Sequence, residues 1–316
     1  MSEFALIRQL LMSATGAPRS DVQLGPGDDA AILQAPAGYR LATSSDTLIA
    51  GRHFPENTVP EAVGHKALAV NLSDLAAMGA KPAWVSLALT LPEASEVWLR
   101  GFASGFGALA AEYGVALIGG DTTRGPLSVT LTVTGFLPES QALLRSGAQI
   151  GESVYVSGRL GAAAQELGQV LQGGSLSPDQ RRHLDYPQPR VELGQQLLPV
   201  ASSAMDLSDG LLSDAAHLAA ASELAVDIDL SRLPLAESLA SLPREEAWAL
   251  ASAGDDYELL FTAPNVESPR LEALSQTLGL PLTRVGRTRE GDGVHCFERD
   301  GVPFEGRLQG YDHFLR

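Results

Sequence analysis

Seven aspartates stand in short segments beside glycine, serine or threonine. They are Asp28 and Asp29 in Gly27-Asp28-Asp29, Asp46 in Ser44-Ser45-Asp46-Thr47, Asp74 in Asn71-Leu72-Ser73-Asp74, Asp121 in Gly119-Gly120-Asp121-Thr122, and Asp206 and Asp209 in Asp206-Leu207-Ser208-Asp209-Gly210. Taken singly, several have ordinary readings. Asp28 and Asp29 read as a plain acidic turn. Asp209 reads equally as a helix N-cap, whose side-chain oxygen accepts an orphan backbone N–H. Asp74 differs, because it falls inside an apolar, Ala- and Leu-rich helix, three residues from Asn71 and on the same face. A carboxylate there is costly unless exposed, paired or metal-bound. Asp121 follows a buried-looking strand and two glycines, whose bare backbone can approach a phosphate closely. The carboxyl ends of strands are also where α/β ligand sites gather.

If these side chains converge, their summed charge repels any phosphate unless hard cations lie between. Oxygen donors, with Cys296 the only cysteine and six histidines, point to Mg²⁺ rather than zinc. Magnesium takes one or two carboxylates, keeps waters and shares phosphate oxygens, which describes a nucleotide-phosphate site. No Walker A motif, kinase Gly-rich loop or dinucleotide fingerprint is present, and Gly25-Pro26-Gly27 lacks the spacing to replace one. Use of a nucleotide therefore rests on metals and scattered cations. Arg145 reads either as a phosphate contact or as a solvated surface residue, and His53, close to the Asp46 segment, as a site residue or a structural one.

Positioning these groups requires alternating strands and helices in the first half. Residues 41–43 are expected as a strand leading into a polar turn, and 61–78 as a helix with Val63, Ala67, Val70 and Ala77 on one stripe, stopped by Gly79 and Pro82. Strands follow over 85–91 and 127–133, where apolar and hydroxyl residues alternate. Between them come a helix over 97–113, closed by Gly114, and a short strand over 115–118 ending at Gly119-Gly120-Asp121. Beyond a boundary between residues 138 and 151 the pattern restarts, with strands over 154–157, 225–230, 257–262 and 294–297 and helices over 161–171, 191–198 and 209–221. Two α+β domains of comparable size are expected. Phe4, Ile7 and Leu11 mark a short amphipathic helix rather than a signal peptide.

The chain of 316 residues carries 38 acidic against 22 basic side chains, a net charge of −16. This disfavours broad nucleic-acid binding. A single cysteine excludes an intrachain disulfide and fits the reducing cytoplasm, and no run of apolar residues is long enough to span a bilayer.

Together the segments resemble thiamine-monophosphate kinase, of the fold shared with aminoimidazole ribonucleotide synthetase. The resemblance is carried by Gly25-Pro26-Gly27-Asp28-Asp29-Ala30-Ala31, Ser45-Asp46-Thr47 through Gly51-Arg52-His53-Phe54, Lys66 through Asn71-Leu72-Ser73-Asp74 to Gly79, Ile118-Gly119-Gly120-Asp121-Thr122-Thr123, Met205-Asp206-Leu207-Ser208-Asp209-Gly210-Leu211, Asp255-Asp256-Tyr257-Glu258-Leu259 and Gly310-Tyr311-Asp312-His313-Phe314. It implies an N-terminal domain over 1–140 that binds metal and ATP and pairs into a dimeric β-sheet or barrel. A C-terminal α/β sandwich domain over 141–316 would close the site. The implied reaction is direct in-line transfer from ATP to thiamine monophosphate, giving thiamine diphosphate, in a homodimer that uses several Mg²⁺ ions.

By the same resemblance the metal ligands are Asp29, Ser44, Ser45, Asp46, Asp74, Asp121, Asp206 and Asp209, with Asp74, Asp121 and Asp209 central to turnover. ATP contacts are Gly120, Asp121, Arg145 and Ser208; thiamine-phosphate contacts are His53, Asp255 and Tyr311. Ser45 stands where Thr is frequent, and Asp255 where Glu is more usual. Relatives of the same fold include an amidine-forming ligase, selenophosphate synthetase and a hydrogenase-maturation dehydratase. The last two rely on a reactive Cys or selenocysteine near a chain end, a place Cys296 does not occupy. A non-catalytic nucleotide sensor is the alternative outside enzymes.

Overall fold

The computed structural model describes residues 19–174 and 176–306. The expected helix around Phe4, Ile7 and Leu11, and the Tyr311 segment, lie outside the described residues. The chain divides into two compact units, Met1–Leu75 with Ala80–Gln141, and Ala76–Gly79 with Ala142–Arg316.

The first unit begins with a small hairpin, β1 (Val22–Leu24) and β2 (Ile32–Leu33). Its main sheet has the order β3-β6-β4-β5, from β3 (Tyr39–Ile49), β4 (Lys81–Leu91), β5 (Ala116–Arg124) and β6 (Ser128–Pro138). Helix α1 (Pro60–Ala77) joins β3 to β4, and α2 (Glu96–Tyr113) joins β4 to its parallel neighbour β5. Helix α2 is capped at both ends: the Ser95 side chain accepts from Trp98 N–H, and Gly114 takes the left-handed conformation at φ 64°. Helix α1 is buried nearly all round, including Leu68, Leu72, Leu75 and the polar Asn71 and Ser73. It is a core element rather than a one-sided surface helix.

Alternation divides the sheet into two faces. Leu87 and Leu89 of β4 and Val129, Leu131 and Val133 of β6 are buried on one of them. The other carries hydroxyls: Ser45 Oγ meets Thr132 Oγ1 at 3.0 Å, and Thr47 Oγ1 meets Thr130 Oγ1 at 2.8 Å. Three expectations change here. The segment 44–47 is not a turn but the middle of an eleven-residue strand, because its small polar side chains pair across to the threonines of β6. Gly119-Gly120-Asp121 likewise continues β5 rather than ending it. Pro82, expected to stop a helix, lies inside β4 at a register shift, where a missing N–H is tolerated.

The second unit is built on a six-stranded sheet of order β12-β9-β11-β7-β10-β8, from β7 (Ser153–Ser157), β8 (Ser203–Asp206), β9 (Ala225–Asp229), β10 (Leu259–Ala263), β11 (Leu282–Arg289) and β12 (Val294–Phe297). All neighbours are antiparallel except β12 and β9. This directs the carboxyl ends of β7, β8, β9 and β12 to one end of the sheet. The helices are α3 (Ala162–Leu171), α4 (Arg182–Asp185), α5 (Val191–Leu197), α6 (Leu211–Ser222), α7 (Arg244–Ala251) and α8 (Ser268–Leu278). Val154, Val156, Met205, Leu211, Leu218, Ile228, Leu260 and Val285 form its core. Cys296 is half-buried on the edge strand β12, and burial pushes its thiol up to about 11.

On the surface, His183 Nδ1 lies 2.6 Å from Glu166 Oε1, and that hydrogen bond raises the imidazole above its ordinary value. A raised folded-state value means the pair contributes fully below about pH 6.5 and fades as pH rises through the folded value. His183 is largely exposed, so the contribution is under about 1 kcal/mol. Thermal midpoints of the native chain and of Glu166→Gln are expected to differ at pH 6 and converge by pH 9; a constant difference would refute the assignment.

Candidate active site

In the first unit the acidic site grows from β3 and α1. On β3, Ser44 and Asp46 share the alternation of the buried Ala42 and Leu48, so they belong to the face turned toward α1. Asn71 and Asp74 meet them. Ser44 Oγ donates to Asp74 Oδ2 at 2.5 Å, and Asn71 Oδ1 accepts the Asp46 backbone N–H at 3.1 Å. Asn71 Nδ2 in turn donates to Ala67 O at 2.9 Å, which fixes the amide orientation. An asparagine reaching the outer margin of an edge strand thus ties the Asp46 backbone to α1, one residue pair along from the Ser44–Asp74 contact, with Asp46 and Asp74 both half-buried.

The register separates the remaining first-unit candidates. Across the sheet Asp46 aligns with Leu131, Leu87 and Gly120, while Asp121 aligns with Ala88, Thr130 and Thr47. Asp121 therefore stands on the opposite edge strand, three strand spacings or roughly 14 Å away, on the hydroxyl-bearing face with Ser45. Asp28 and Asp29 are exposed in the turn between β1 and β2, where the Asp28 carboxylate accepts the Asp29 N–H at 2.8 Å. His53 follows β3 in a turn closed by Gly51 N–H to Phe54 O. Its Nδ1 accepts the Ile49 N–H at 3.0 Å, which assigns the proton of a neutral ring to Nε2 and makes that nitrogen a donor.

In the second unit, Asp206 is the buried last residue of β8, and Ser208 and Asp209 occupy the turn into α6. Asp209 is not the N-cap. Gly210 holds that position at φ 105°, and the capping carboxylate is Asp214, whose Oδ2 accepts from Asp209 N–H and Gly210 N–H, each at 3.1 Å. Burial, with the Asp209 charge adding, pushes the Asp214 carboxyl up to about 7.

The turn nests against residues 252–257. Asp255 N–H donates to Ser208 O and Tyr257 N–H to Leu207 O, both at 2.9 Å. A Cβ at Gly210 would lie 2.0 Å from Ser252 O, and one at Gly254 would lie 2.4 Å from Ser208 O. Asp255 and Tyr257 are themselves left-handed, at φ 69° and 50°. Two such residues two positions apart store strain of the kind that clusters at functional sites. Between them, Asp256 accepts the Gly161 N–H at 2.9 Å, and burial drives its carboxyl well above the usual range. Glu258, next in line, is buried and held by Arg190, whose Nε lies 2.7 Å from Oε2, and by Ser157 Oγ at 2.5 Å. Arg145 is exposed, and its carbonyl accepts from Ser222 Oγ of α6 at 2.7 Å. Asp214 and Asp256 were not among the sequence candidates. Asp214 lies outside the quoted segments and Asp256 inside one, but each acts on a backbone N–H brought near only by folding.

Residues 27–137 match the AIR synthase related protein family, N-terminal domain, and residues 149–297 its C-terminal domain. The chain is 47% identical over 323 residues to the thiamine-monophosphate kinase of Escherichia coli (strain K12), covering 99% of this chain and 98% of that one. It belongs to the thiamine-monophosphate kinase family. Among solved structures, the thiamine-monophosphate kinase from Stenotrophomonas maltophilia K279a superposes with a TM-score of 0.87 at 47% identity, covering 96% of this chain and 98% of that one. AaThiL complexed with AMPPCP and TMP gives 0.77 at 30% identity, covering 98% and 96%. Escherichia coli HypE, a hydrogenase maturation protein, gives 0.80 at 22% identity over 97% and 98%, which shows the shared two-domain fold alone. Fold similarity does not separate the kinase family from HypE; sequence identity does.

The donor chemistry of the first unit suits the magnesium that the family resemblance implies. Ser44 and Asp74 bring two oxygens into contact, and Asp46 and Asn71 stand next to them on the same two elements. Among the described residues no three His, Cys, Asp or Glu side chains form a ready-made metal cage. Sparse oxygen ligands that leave room for waters and phosphate oxygens are what magnesium accepts and zinc does not require.

Proposed function

We propose that this chain phosphorylates thiamine monophosphate with ATP, giving thiamine diphosphate and ADP. The observation that carries the reading is its likeness, across nearly the whole of both chains, to AaThiL complexed with AMPPCP and TMP. The phosphate of thiamine monophosphate attacks the γ-phosphorus; one P–O bond forms, the β–γ P–O bond breaks, and ADP leaves with the bonding pair. A phosphate monoester has a second pKa of about 6 and is largely ionised at neutral pH, so no general base is needed. Magnesium, when bound, would supply positive charge that offsets the repulsion between the two polyanions.

The protein's own groups divide the remaining work. Asp46, Asp74 and Ser44 would hold metal, and Asp29, Ser45, Asp121, Asp206 and Asp209 would supply further oxygens. The separation of Asp46 from Asp121 within one sheet calls for more than one ion. Gly120, Ser208 and Arg145 contact the nucleotide. His53 offers Nε2–H, and Asp255 and Tyr311 hold the acceptor. A homodimer is part of this reading: β3 is a long edge strand with Tyr39, Leu41 and Ile49 exposed, the kind of edge that a second copy covers. Its single cysteine suits a reducing cytoplasm.

The test is phosphorus NMR of the protein with ATP and thiamine monophosphate. The expected result is a new pair of diphosphate resonances that require magnesium and vanish with chelator. ADP accompanied by free phosphate would instead assign the acceptor to a ligase-type chemistry, and intact ATP in the presence of folded protein would leave only a sensor.

A further inference from the structure

The second unit contains a cleft of about 650 Å³ that none of the acidic turns borders. Its lining includes Arg232, Arg244, Arg299, Ser231, Leu233 and Trp248. Three guanidinium groups around one cavity stand out in a chain of net charge −16. Arg232 Nε lies 3.2 Å from Asp229 Oδ2, and the other oxygen of Asp229 is taken by Ser231 N–H at 3.0 Å and Ser231 Oγ at 2.6 Å. Among the described residues Asp229 is the only carboxylate in the lining, and it is occupied. Arg244 and Arg299 form no ion pair among the described residues.

The position is also distinct. Leu230 directly follows β9 and Arg299 follows β12, at the sheet edge opposite β8. From β9 to β8 is four strand spacings, or roughly 19 Å. The cleft therefore opens at the same end of the sheet as Asp206 but along the other margin. Helix α7 connects the two regions: Arg244 and Trp248 stand on it at the cleft, and it is capped at its C-terminus by Ser252, whose carbonyl abuts Gly210.

We propose that this cleft binds the pyrophosphate group of a small anionic ligand without any metal ion. Guanidinium forks match phosphate oxygens in paired, charge-assisted hydrogen bonds. The acidic turns need cations before they can tolerate a phosphate, whereas this cleft supplies positive charge itself. Leu233 and Trp248 add an apolar wall suited to the organic body of a diphosphate ester.

Isothermal titration of the full chain in excess chelator tests this, with inorganic pyrophosphate and ADP as probes. Each is expected to bind at one equivalent per chain, more weakly at high salt. Tighter binding of ADP assigns the site to an ester; equal binding assigns it to free pyrophosphate. Arg244→Gln/Arg299→Gln is expected to weaken both at least about tenfold with an unchanged thermal midpoint, because both side chains are exposed. Arg299→Gln alone, expected to weaken binding by a smaller factor, serves if the pair misfolds. Absence of binding in chelator, or binding indifferent to the arginines, overturns the proposal. Neither metal nor turnover enters the measurement, so such a failure leaves the kinase reading untouched.

Discussion

Asp74→Asn is expected to lower kcat by about a thousandfold while the chain stays folded, a loss of the size seen when one preorganised electrostatic group is removed at a reacting centre. The substitution keeps shape and an oxygen that can still accept from Ser44 Oγ, now 2.5 Å from the carboxylate. It removes only the negative charge. Asp74 is half-buried on a helix that is mostly apolar but also buries Lys66, Asn71 and Ser73, and an isosteric asparagine there costs no packing. The thermal midpoint should thus move little, by the equivalent of about 1 kcal/mol or less. A thousandfold loss is about 4 kcal/mol of transition-state stabilisation, too large for a structural side effect of so mild a change. ADP formation measured alongside a melting curve decides the matter. A variant within tenfold of native kcat at ordinary magnesium would remove Asp74 from the reacting centre.

The second large effect is expected from Gly210→Ala, which acts through the backbone. Position 210 has φ 105°, and its Cβ would meet Ser252 O at 2.0 Å. Neither partner can yield as a flexible side chain does. Backbone strain of about 1–3 kcal/mol adds to an overpacking cost of similar size. The expected sum, about 2–6 kcal/mol, lowers the melting midpoint by on the order of 10 °C. Activity should fall beyond what stability explains, since the displaced turn carries Ser208 and Asp209 and anchors Asp255 and Tyr257. Gly168→Ala is the control. That glycine lies inside α3 with nothing within 4 Å of where an alanine Cβ would stand, and alanine there should stabilise by about 0.5–1 kcal/mol. Equal behaviour of the two variants would disprove the nesting of the two turns as a determinant of activity.

Much of the architecture could be read from residue patterns, for identifiable reasons. Helix α1 announced itself through apolar spacing and Gly79, helix α2 through Gly114, and β6 through alternating apolar and threonine residues. The carboxylate segments misled in one consistent way. Ser44-Ser45-Asp46-Thr47 and Gly119-Gly120-Asp121 have the composition of turns but lie within strands, because cross-strand hydroxyl pairs and a register shift at Val85/Ser86 supply what local propensity does not. Asp209 looked like a cap, yet the cap came from Asp214, five residues on. Strands β8 and β11 and helices α7 and α8 carried no pattern strong enough to be anticipated. The left-handed backbone at Asp255 and Tyr257 carries little sequence signal: neither residue is glycine, and the mild left-handed preference of aspartate does not single out one position among 38 acidic residues.

The strand order of the second unit also governs how this chain must be made. Strand β7 lies inside its sheet between β10 and β11, whose residues follow it by about 100 positions or more. At roughly 5–20 residues per second, synthesis leaves β7 without either neighbour for about 5–20 s or longer. During that interval Ser153–Ser157, every residue of which is buried once folded, waits with both hydrogen-bonding edges bare. Refolding should accordingly be slow and strongly dependent on protein concentration, with aggregation competing from the start.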